Sequence, residues 1–424
     1  MREARGLAFV LAAASALAWA AACGPATTTQ NGAANTGGAS NTNSATSGTA
    51  GTAGAPAAYQ RKTKKQGEKV YIGFSMDTLK EERWNRDKQL VEAKAAELGA
   101  QLETQVANGD DAVQTNQCNT FITKGVDVLI VAPHNGEIAA SIVDRAHAAG
   151  VPVISYDRLI KNSDVDLYVS HQVLRMGEMQ GDYALKHAPK GNYVLIGGAP
   201  TDNNAMLLRT GQENILKPAA DRGDIKIVSN QFAKEWKAEE AQRITEDSLT
   251  KTNKDIQAIV ASNDGTAGGA ISALEAAGVP AGKVVVTGQD AQLDAVQRIA
   301  KGTQTMTIYK PIKPLADSAV EAAIKLAYGQ PLDAPDKVNN GKIDVPSKLQ
   351  EPQAVDKENL DATIIKDGYH KCEDVYKDVP SHKCATADAD EKQGTEGGRP
   401  KTFVASSLAA LGLLLSGFVF VRLR

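Results

Sequence analysis

The stretch VDVLIVAPHNGEIAASIVDRAHAAGVPVISYDR, residues 126 to 158, decides the fold of this protein. It contains an apolar, β-branched run (126–133), a segment with Ile138, Ile142 and Ala146 at helical spacing, and a second apolar run (151–156). Short runs of this kind are typical of strands buried on both faces of a sheet. The order strand, helix, strand implies a right-handed crossover between parallel neighbours.

The same alternation extends from Lys69 to Leu332. Further strand-like runs are VYIGFS (70–75), NYVLIGG (192–198), IQAIVAS (256–262) and KVVVTG (283–288). A chain of 424 residues is longer than one hydrophobic core usually organises. The sequence therefore predicts an α/β protein with two lobes, each a doubly wound parallel sheet.

Composition excludes several classes of function. The formal net charge is -3 and the basic residues are scattered, so no segment offers the positive field that nucleic acid needs. The chain has no G-x-S-x-G elbow, no H-E-x-x-H and no histidine pair at metal-ligand spacing. We therefore expect a binding protein with no metal or cofactor, and not an enzyme.

The N-terminal end indicates export. Arg2 and Arg5 precede an apolar run (7–22), which is typical of a signal peptide. The sequence AAACG around Cys23 resembles a bacterial lipobox, so residues 1–23 predict a signal peptide with lipidation at Cys23; ordinary cleavage among the alanines is the alternative. Residues 24–67 contain almost no large apolar side chain, which predicts a disordered tether.

The C-terminal end predicts a second attachment. Residues 402–421 are uncharged and long enough to cross a bilayer, so they are interpreted as a transmembrane segment or, alternatively, a processed sorting signal. The polar tail (371–401) contains Cys372 and Cys384, close enough in sequence to predict a local disulfide outside the cytoplasm. Cys118 shares a helical face with Phe121 and is expected to be buried.

Polar side chains follow the predicted strands at equivalent places, where open parallel sheets bind ligands. They are Arg83, Trp84, Asn135, Asp157, Arg158, Asn203, Asn204, Arg209, Asn263, Asp264, Gln289 and Asp290. Carboxylate and amide oxygens with guanidinium donors satisfy sugar hydroxyls, which both donate and accept. Trp84 or Trp236 can cover the apolar face of a sugar ring. A phosphate site would need a glycine-rich loop or a cationic cluster, and neither follows these strands.

Several motifs resemble the D-xylose-binding proteins of bacterial ABC importers, which are periplasmic binding proteins of the ribose-binding type. The matching stretches include ERWNRD (82–87), SYDRLI (155–160), GNYVLIGGAPTDNNA (191–205), VASNDGTAGGAI (260–271) and GTQTMTIYKPI (302–312). The resemblance extends from about Lys69 to about His370. It implies a monomer whose two lobes close on one monosaccharide, D-xylose first, and deliver it to an ABC permease.

The resemblance also implies a set of sugar ligands and lobe boundaries. The ligands are Arg83, Asp157, Arg158, Asn203, Arg209, Asn263, Asp290 and Lys310, with Trp84 and Trp236 stacking on the ring. We expect a first lobe of 68–169 plus 306–332 and a second of 170–305 plus 333–370, with chain crossings near 168–170, 306 and 331–335. The expected location is extracytoplasmic and membrane-anchored. A sugar-sensing receptor ectodomain, or specificity for another pentose or a hexose, remains the alternative.

Overall fold

The computed structural model describes residues 59–384. The predicted signal peptide, the lipidation site Cys23, the tether up to residue 58 and the segment 402–421 lie outside the described residues. Residues 59–67, the end of the predicted disordered tether, are instead ordered against the first lobe, because the amides of Lys62 and Lys64 donate to the carbonyls of Gly150 and Ala327 at 2.9 Å and 2.8 Å. In residues 59–384, no helix is both long enough and apolar enough to span a membrane.

The strands and helices alternate along most of the chain, as the sequence predicts. The strands are β1 (Tyr71–Met76), β2 (Gln101–Val106), β3 (Val128–Ala132), β4 (Val153–Tyr156), β5 (Leu167–His171), β6 (Gly191–Gly197), β7 (Ile225–Phe232), β8 (Ala258–Ala261), β9 (Val285–Val286), β10 (Met306–Tyr309), β11 (Asp336–Asn339), β12 (Asp344–Gln350) and β13 (Gln353–Asp356). The helices are α1 (Glu82–Glu97), α2 (Asp111–Thr123), α3 (Ala140–Ala148), α4 (Val173–His187), α5 (Asn203–Asp221), α6 (Ala238–Lys251), α7 (Asp264–Ala276), α8 (Leu293–Lys301), α9 (Ile312–Ala327) and α10 (Cys372–Val375).

Two sheets organise two lobes. The sheet of the first lobe has the order β11-β12-β5-β4-β3-β1-β2, parallel except for β11. The sheet of the second lobe has the order β7-β6-β8-β9, all parallel. The antiparallel pair β10 and β13 extends this second sheet, because the amides of Thr305 and Ile308 donate to the carbonyls of Val286 and Gly288 at 3.1 Å. The predicted doubly wound α/β architecture is confirmed.

The strands of the first lobe are buried on both faces, which explains their continuous apolar sequence. In β3, Ile130 packs with Phe74 and Leu315 on the face covered by α1 and α9. Its neighbours Leu129 and Val131 pack with Phe121 and with the buried residues of α3 on the other face. Cys118 is buried within that second cluster, and burial raises the pKa of its thiol to about 11.

The chain crosses between the lobes near 172, 310–311 and 351–352. The first lobe thus contains 59–171 plus 312–350, and the second contains 173–309 plus 353–384. Residues 333–350 belong to the first lobe, not to the second as expected, because Ser347–Gln350 of β12 pair in parallel with β5. Residues 306–309 belong to the second lobe, where Met306 packs with Met176 and Leu208.

A short C-terminal segment closes over the second lobe. Cys372 and Cys384 form a disulfide with Cα atoms 5.7 Å apart, as the spacing predicts. The side-chain Nε2 of Gln297 on α8 donates to the backbone carbonyl of Asp374 at 2.8 Å, which holds α10 against α8. His382 lies beside the two sulfurs, but sulfurs joined in a disulfide are not available as thiolate ligands for a metal.

Candidate ligand-binding site

A cavity lies between the carboxyl ends of the two sheets, with side chains from both lobes in its wall. Its volume, including the open mouth, is about 340 Å³. The lining residues are Glu81, Arg83, Trp84, Asp157, Arg158, Asp202, Asn204, Trp236, Asn263, Gln289, Asp290 and Lys310. Eight of the ten site residues predicted from the sequence are in this set.

Arg83 organises one wall of the cavity. Its Nε and Nη2 atoms donate to the two carboxylate oxygens of Asp87 at 3.0 Å, and Nη1 donates to Asp157 Oδ2 at 2.7 Å. Burial alone would raise the pKa of Asp157, but the charges of Arg83 and Lys310 outweigh it and hold this pKa well below its usual value. Asp157 is therefore a carboxylate at neutral pH and accepts hydrogen bonds only.

Asp157 and Asp290 occupy left-handed backbone conformations, with φ of 61° and 98°. Such conformations are unfavourable for residues with a side chain and persist where neighbouring groups hold them. The carbonyl of Asp157 accepts from the hydroxyls of Tyr168 at 2.9 Å and Ser170 at 2.6 Å. The amide of Asp290 donates to the carbonyl of Ile308 at 2.9 Å. These bonds fix both carboxylates at the end of their strands.

Asp290 is paired with a cation from the chain crossing. Lys310 Nζ lies 2.8 Å from Asp290 Oδ1, and Arg83 Nη1 lies 3.9 Å from the same oxygen. His171 lies nearby, with Nε2 3.2 Å from the carbonyl of Pro311. Burial and the charge of Lys310 lower the pKa of His171 to about 3, so the ring is neutral.

Arg158 forms the opposite wall and interacts with both lobes. Its Nη1 donates to Asp77 Oδ2 at 2.5 Å, and its Nε lies 2.9 Å from Asp202 Oδ2. Burial raises the pKa of Asp202, and the attraction of Arg158 opposes that shift. Among the residues described here, the buried Glu81 Oε2 and Gln289 Oε1 on this cavity have no hydrogen-bond donor.

Two aromatic side chains flank these charges. The guanidinium groups of Arg83 and Arg158 lie 4.5 Å and 5.3 Å from the centroid of the Trp84 ring. Trp236 lies against Gly198, where an added Cβ would stand 2.2 Å from three atoms of the indole. Its Nε1 donates to Asp202 Oδ2 at 3.3 Å. The backbone of Glu235 and Trp236 is left-handed, with φ of 53° and 55°.

Two asparagines reach the cavity from helix N-termini. Asn263 caps α7 in a capping box with Thr266, whose amide donates to Asn263 Oδ1 at 2.9 Å. Asn204 lies in the first turn of α5, which is capped by Asp202. Its Nδ2 donates across the lobes to the carbonyl of Asp157 at 3.1 Å.

Two predicted ligands, Asn203 and Arg209, do not line the cavity. One residue along a helix turns a side chain by about 100°, so Asn204 faces the cavity where Asn203 was expected. Arg209 is buried inside the second lobe, where its guanidinium stacks 4.9 Å from the Phe232 ring and its Nε donates to Gln212 at 3.1 Å. Burial lowers the pKa of Arg209 to about 10.

The lining also includes residues absent from the predicted ligand set. Asn204 and Gln289 follow predicted strands, so they were already among the polar residues expected at the ligand-binding edge of the sheets. Glu81 and Asp202 were not selected, because each looks in sequence like an ordinary acid at the start of a helix. Asp202 is in fact such a cap, accepting from the Asn204 amide at 2.9 Å.

Two lobes built from parallel sheets, with a polar, aromatic-flanked cavity between their strand ends, define the class of two-lobed proteins that enclose a small ligand. A family model described as periplasmic binding protein domain matches residues 72–331, more than half of the chain. The chain belongs to this periplasmic binding protein family.

Individual relatives agree with this class. D-xylose-binding periplasmic proteins from Haemophilus influenzae and Escherichia coli are each 47% identical, over 305 and 302 residues. These alignments cover 72% and 71% of this chain and 92% and 91% of the relatives. A crystal structure of a carbohydrate transporter solute binding protein from Chloroflexus aurantiacus, in complex with D-glucose, is 32% identical with a TM-score of 0.67, covering 72% of this chain and 98% of that one.

Proposed function

We propose that this protein is an extracytoplasmic sugar-binding protein that captures D-xylose between its lobes and delivers it to an ABC-type importer. The observation that carries the proposal is the cavity itself, which is lined by paired carboxylates and cations together with Trp84 and Trp236. Two relatives that are 47% identical to this chain are named D-xylose-binding periplasmic proteins, which supports the choice of sugar.

The chemistry of the wall favours a neutral, hydroxyl-rich ligand. Arg83, Arg158 and Lys310 are each paired with a carboxylate, so little net charge is left for a phosphate or a carboxylic acid. The acceptors Glu81 Oε2 and Gln289 Oε1 match hydroxyl donors. The tryptophan faces match the C–H surface of a sugar ring.

The enclosure of the cavity favours one small ligand. Side chains from both lobes line it, so its walls suit a single monosaccharide rather than a polymer. We assign D-xylose ahead of a hexose because the more similar relatives are xylose-binding proteins, whereas the glucose complex belongs to a relative at 32% identity. A hexose or another pentose is the competing ligand.

The proposed cellular role is that of a monomeric transport component rather than an enzyme. We place the protein outside the cytoplasm, held at the membrane through Cys23, the segment 402–421, or both. Its proposed partners are the permease subunits of the importer, and the proposal includes no cofactor. A sugar-sensing ectodomain would use the same cavity and would differ in needing a signalling partner.

Isothermal titration calorimetry of the purified protein with D-xylose, D-ribose, D-glucose and D-galactose tests the ligand. We expect one site per chain and the tightest binding for D-xylose. A clear preference for a hexose would contradict the xylose assignment, and absence of binding to all four sugars would contradict the proposed function.

A further inference from the structure

Asp202 contacts three cavity residues at once, although it looks in sequence like an ordinary helix cap. Its side chain accepts from the Asn204 amide at 2.9 Å, lies 2.9 Å from Arg158 Nε and accepts from Trp236 Nε1 at 3.3 Å. Asp202 is only 3% exposed. Asn204, Trp236 and Asp202 belong to the second lobe, whereas Arg158 belongs to the first.

Arg158 is thus shared between two carboxylates, one from its own lobe and one from the opposite lobe. Asp77 follows β1 and belongs to the same lobe as Arg158, at 2.5 Å from Nη1. Asp202 reaches the guanidinium from the opposite lobe, at 2.9 Å from Nε. When the lobes separate, Asp77 remains beside Arg158 and Asp202 moves away from it.

We propose that Asp202 is a positioning residue that holds the two lobes closed on the ligand by pairing with Arg158 only in the closed state. The proposal rests on the proposed sugar-binding function, because closure matters for capture and release. Asp77 pairs with Arg158 whether the lobes are open or closed, so it competes with Asp202 for the guanidinium.

The same carboxylate couples closure to the ring-covering side chain. Asp202 Oδ2 contacts both Arg158 and Trp236, so formation of the interlobe ion pair also orients the indole that rests on Gly198. Charged pairs desolvated at an interface act mainly on the rate of dissociation, because they break before the surfaces separate. We therefore expect Asp202 to control how fast the sugar leaves.

Two matched substitutions on the same guanidinium test this. Asp202→Asn removes the interlobe charge yet keeps a good helix cap and an acceptor for Trp236. Asp77→Asn removes the charge from within the first lobe. Trp84 and Trp236 both line the cavity, so intrinsic fluorescence in a stopped-flow instrument reports binding and release of D-xylose.

We expect Asp202→Asn to accelerate dissociation of D-xylose at least about tenfold with a much smaller change in association. In small-angle X-ray scattering without sugar, Asp202→Asn should increase the radius of gyration. Asp77→Asn should decrease it, because Arg158 is then left to Asp202. Circular dichroism verifies that both variants are folded.

The inference is overturned if Asp202→Asn releases D-xylose at the parent rate, or if both variants shift the radius of gyration in the same direction. Failure of the parent protein to bind D-xylose would instead contradict the proposed function. The scattering comparison needs no sugar, so in that case it still tests whether the ion pair between Asp202 and Arg158 favours the closed state.

Discussion

At the scale of single residues, the site is a set of buried charges that satisfy one another. Arg83 alone contacts Asp87 and Asp157 and approaches Asp290, and Lys310 completes the pairing of Asp290. Burying these charges without partners would be strongly unfavourable, and paired with good geometry they form a rigid polar surface. Rigid, oppositely charged groups recognise hydroxyls with little loss of conformational entropy on binding.

Adjacent asparagines offer a residue-scale test of the site. Asn204 lines the cavity and bonds to the carbonyl of Asp157, whereas Asn203 does not line it. We expect Asn204→Ala to weaken D-xylose binding by about 1 kcal/mol or more, which is roughly a fivefold loss of affinity, because a buried hydrogen bond across the lobes is lost.

Asn203→Ala is the matched control and should bind D-xylose like the parent. Calorimetric titration of both variants makes the comparison. A loss of affinity confined to Asn203→Ala would mean that the first turn of α5 faces the ligand differently from the structure.

At the scale of elements, the loop after β6 and the turn before α6 act as one unit. β6 ends at Gly197, and the ring of Trp236 occupies the space where a side chain at the next residue, Gly198, would stand. The left-handed backbone at Glu235 and Trp236 turns the indole onto this glycine. Two segments nearly forty residues apart thus determine the position of one aromatic wall.

Gly198→Ala tests this unit. A Cβ at this position would stand 2.2 Å from the indole, so the ring must move into the cavity. We expect overpacking to cost about 1–3 kcal/mol of stability. Xylose affinity should fall by roughly tenfold or more, because displacement of the indole both narrows the cavity and breaks its bond to Asp202.

Fluorescence and calorimetry measure the effect of Gly198→Ala, with Gly268→Ala as control. Gly268 lies within α7, where the atom nearest to an added Cβ is Arg298 Nη1 at 3.4 Å, a close but allowed contact, and alanine is the better helix former. Equal xylose affinity in the two variants would show that the position of Trp236 does not limit binding.

At the scale of the whole molecule, the lobes are in direct contact around the cavity. The Leu293 amide of the second lobe donates to Glu82 Oε2 of the first at 2.9 Å. The Gly136 amide of the first lobe donates to the carbonyl of Thr201 at 3.3 Å. The lobes are therefore in a closed arrangement, with the ligand cavity between them.

Ligand binding to the closed form should stabilise the whole molecule. A single-site ligand at 100 times its dissociation constant adds about 2.7 kcal/mol to the free energy of unfolding. We expect the melting temperature to rise with the logarithm of D-xylose concentration in differential scanning calorimetry. Asp290→Ala should need at least about tenfold more D-xylose for the same shift, since it removes a charged acceptor and leaves Lys310 unpaired. An identical shift in parent and variant would exclude Asp290 from the site.

Local sequence determined the alternation of strands and helices and most of the site. Runs such as 126–133 are apolar because both faces of a parallel strand are covered by protein. Most residues of such a run must therefore be apolar, so the strand can be recognised from the sequence. The positions of Asp157, Asn263 and Asp290 follow from the same logic, because strand ends share one edge of a sheet. The edge strands β2 and β7 carry half-exposed, polar side chains and so left no comparable signal.

Tertiary structure alone decided which lobe the last strands join and which groups meet across the cleft. Residues 333–350 belong to the first lobe because of pairing between β12 and β5, and pairing partners far apart in sequence leave no local pattern. Asn204 replaces Asn203 because the exact start of α5 sets the direction of each side chain. Asp202 meets Arg158 only after two separate lobes close, and Arg209 stacks on Phe232 inside one of them. Contacts of this kind depend on long-range packing, which residue type and spacing do not specify.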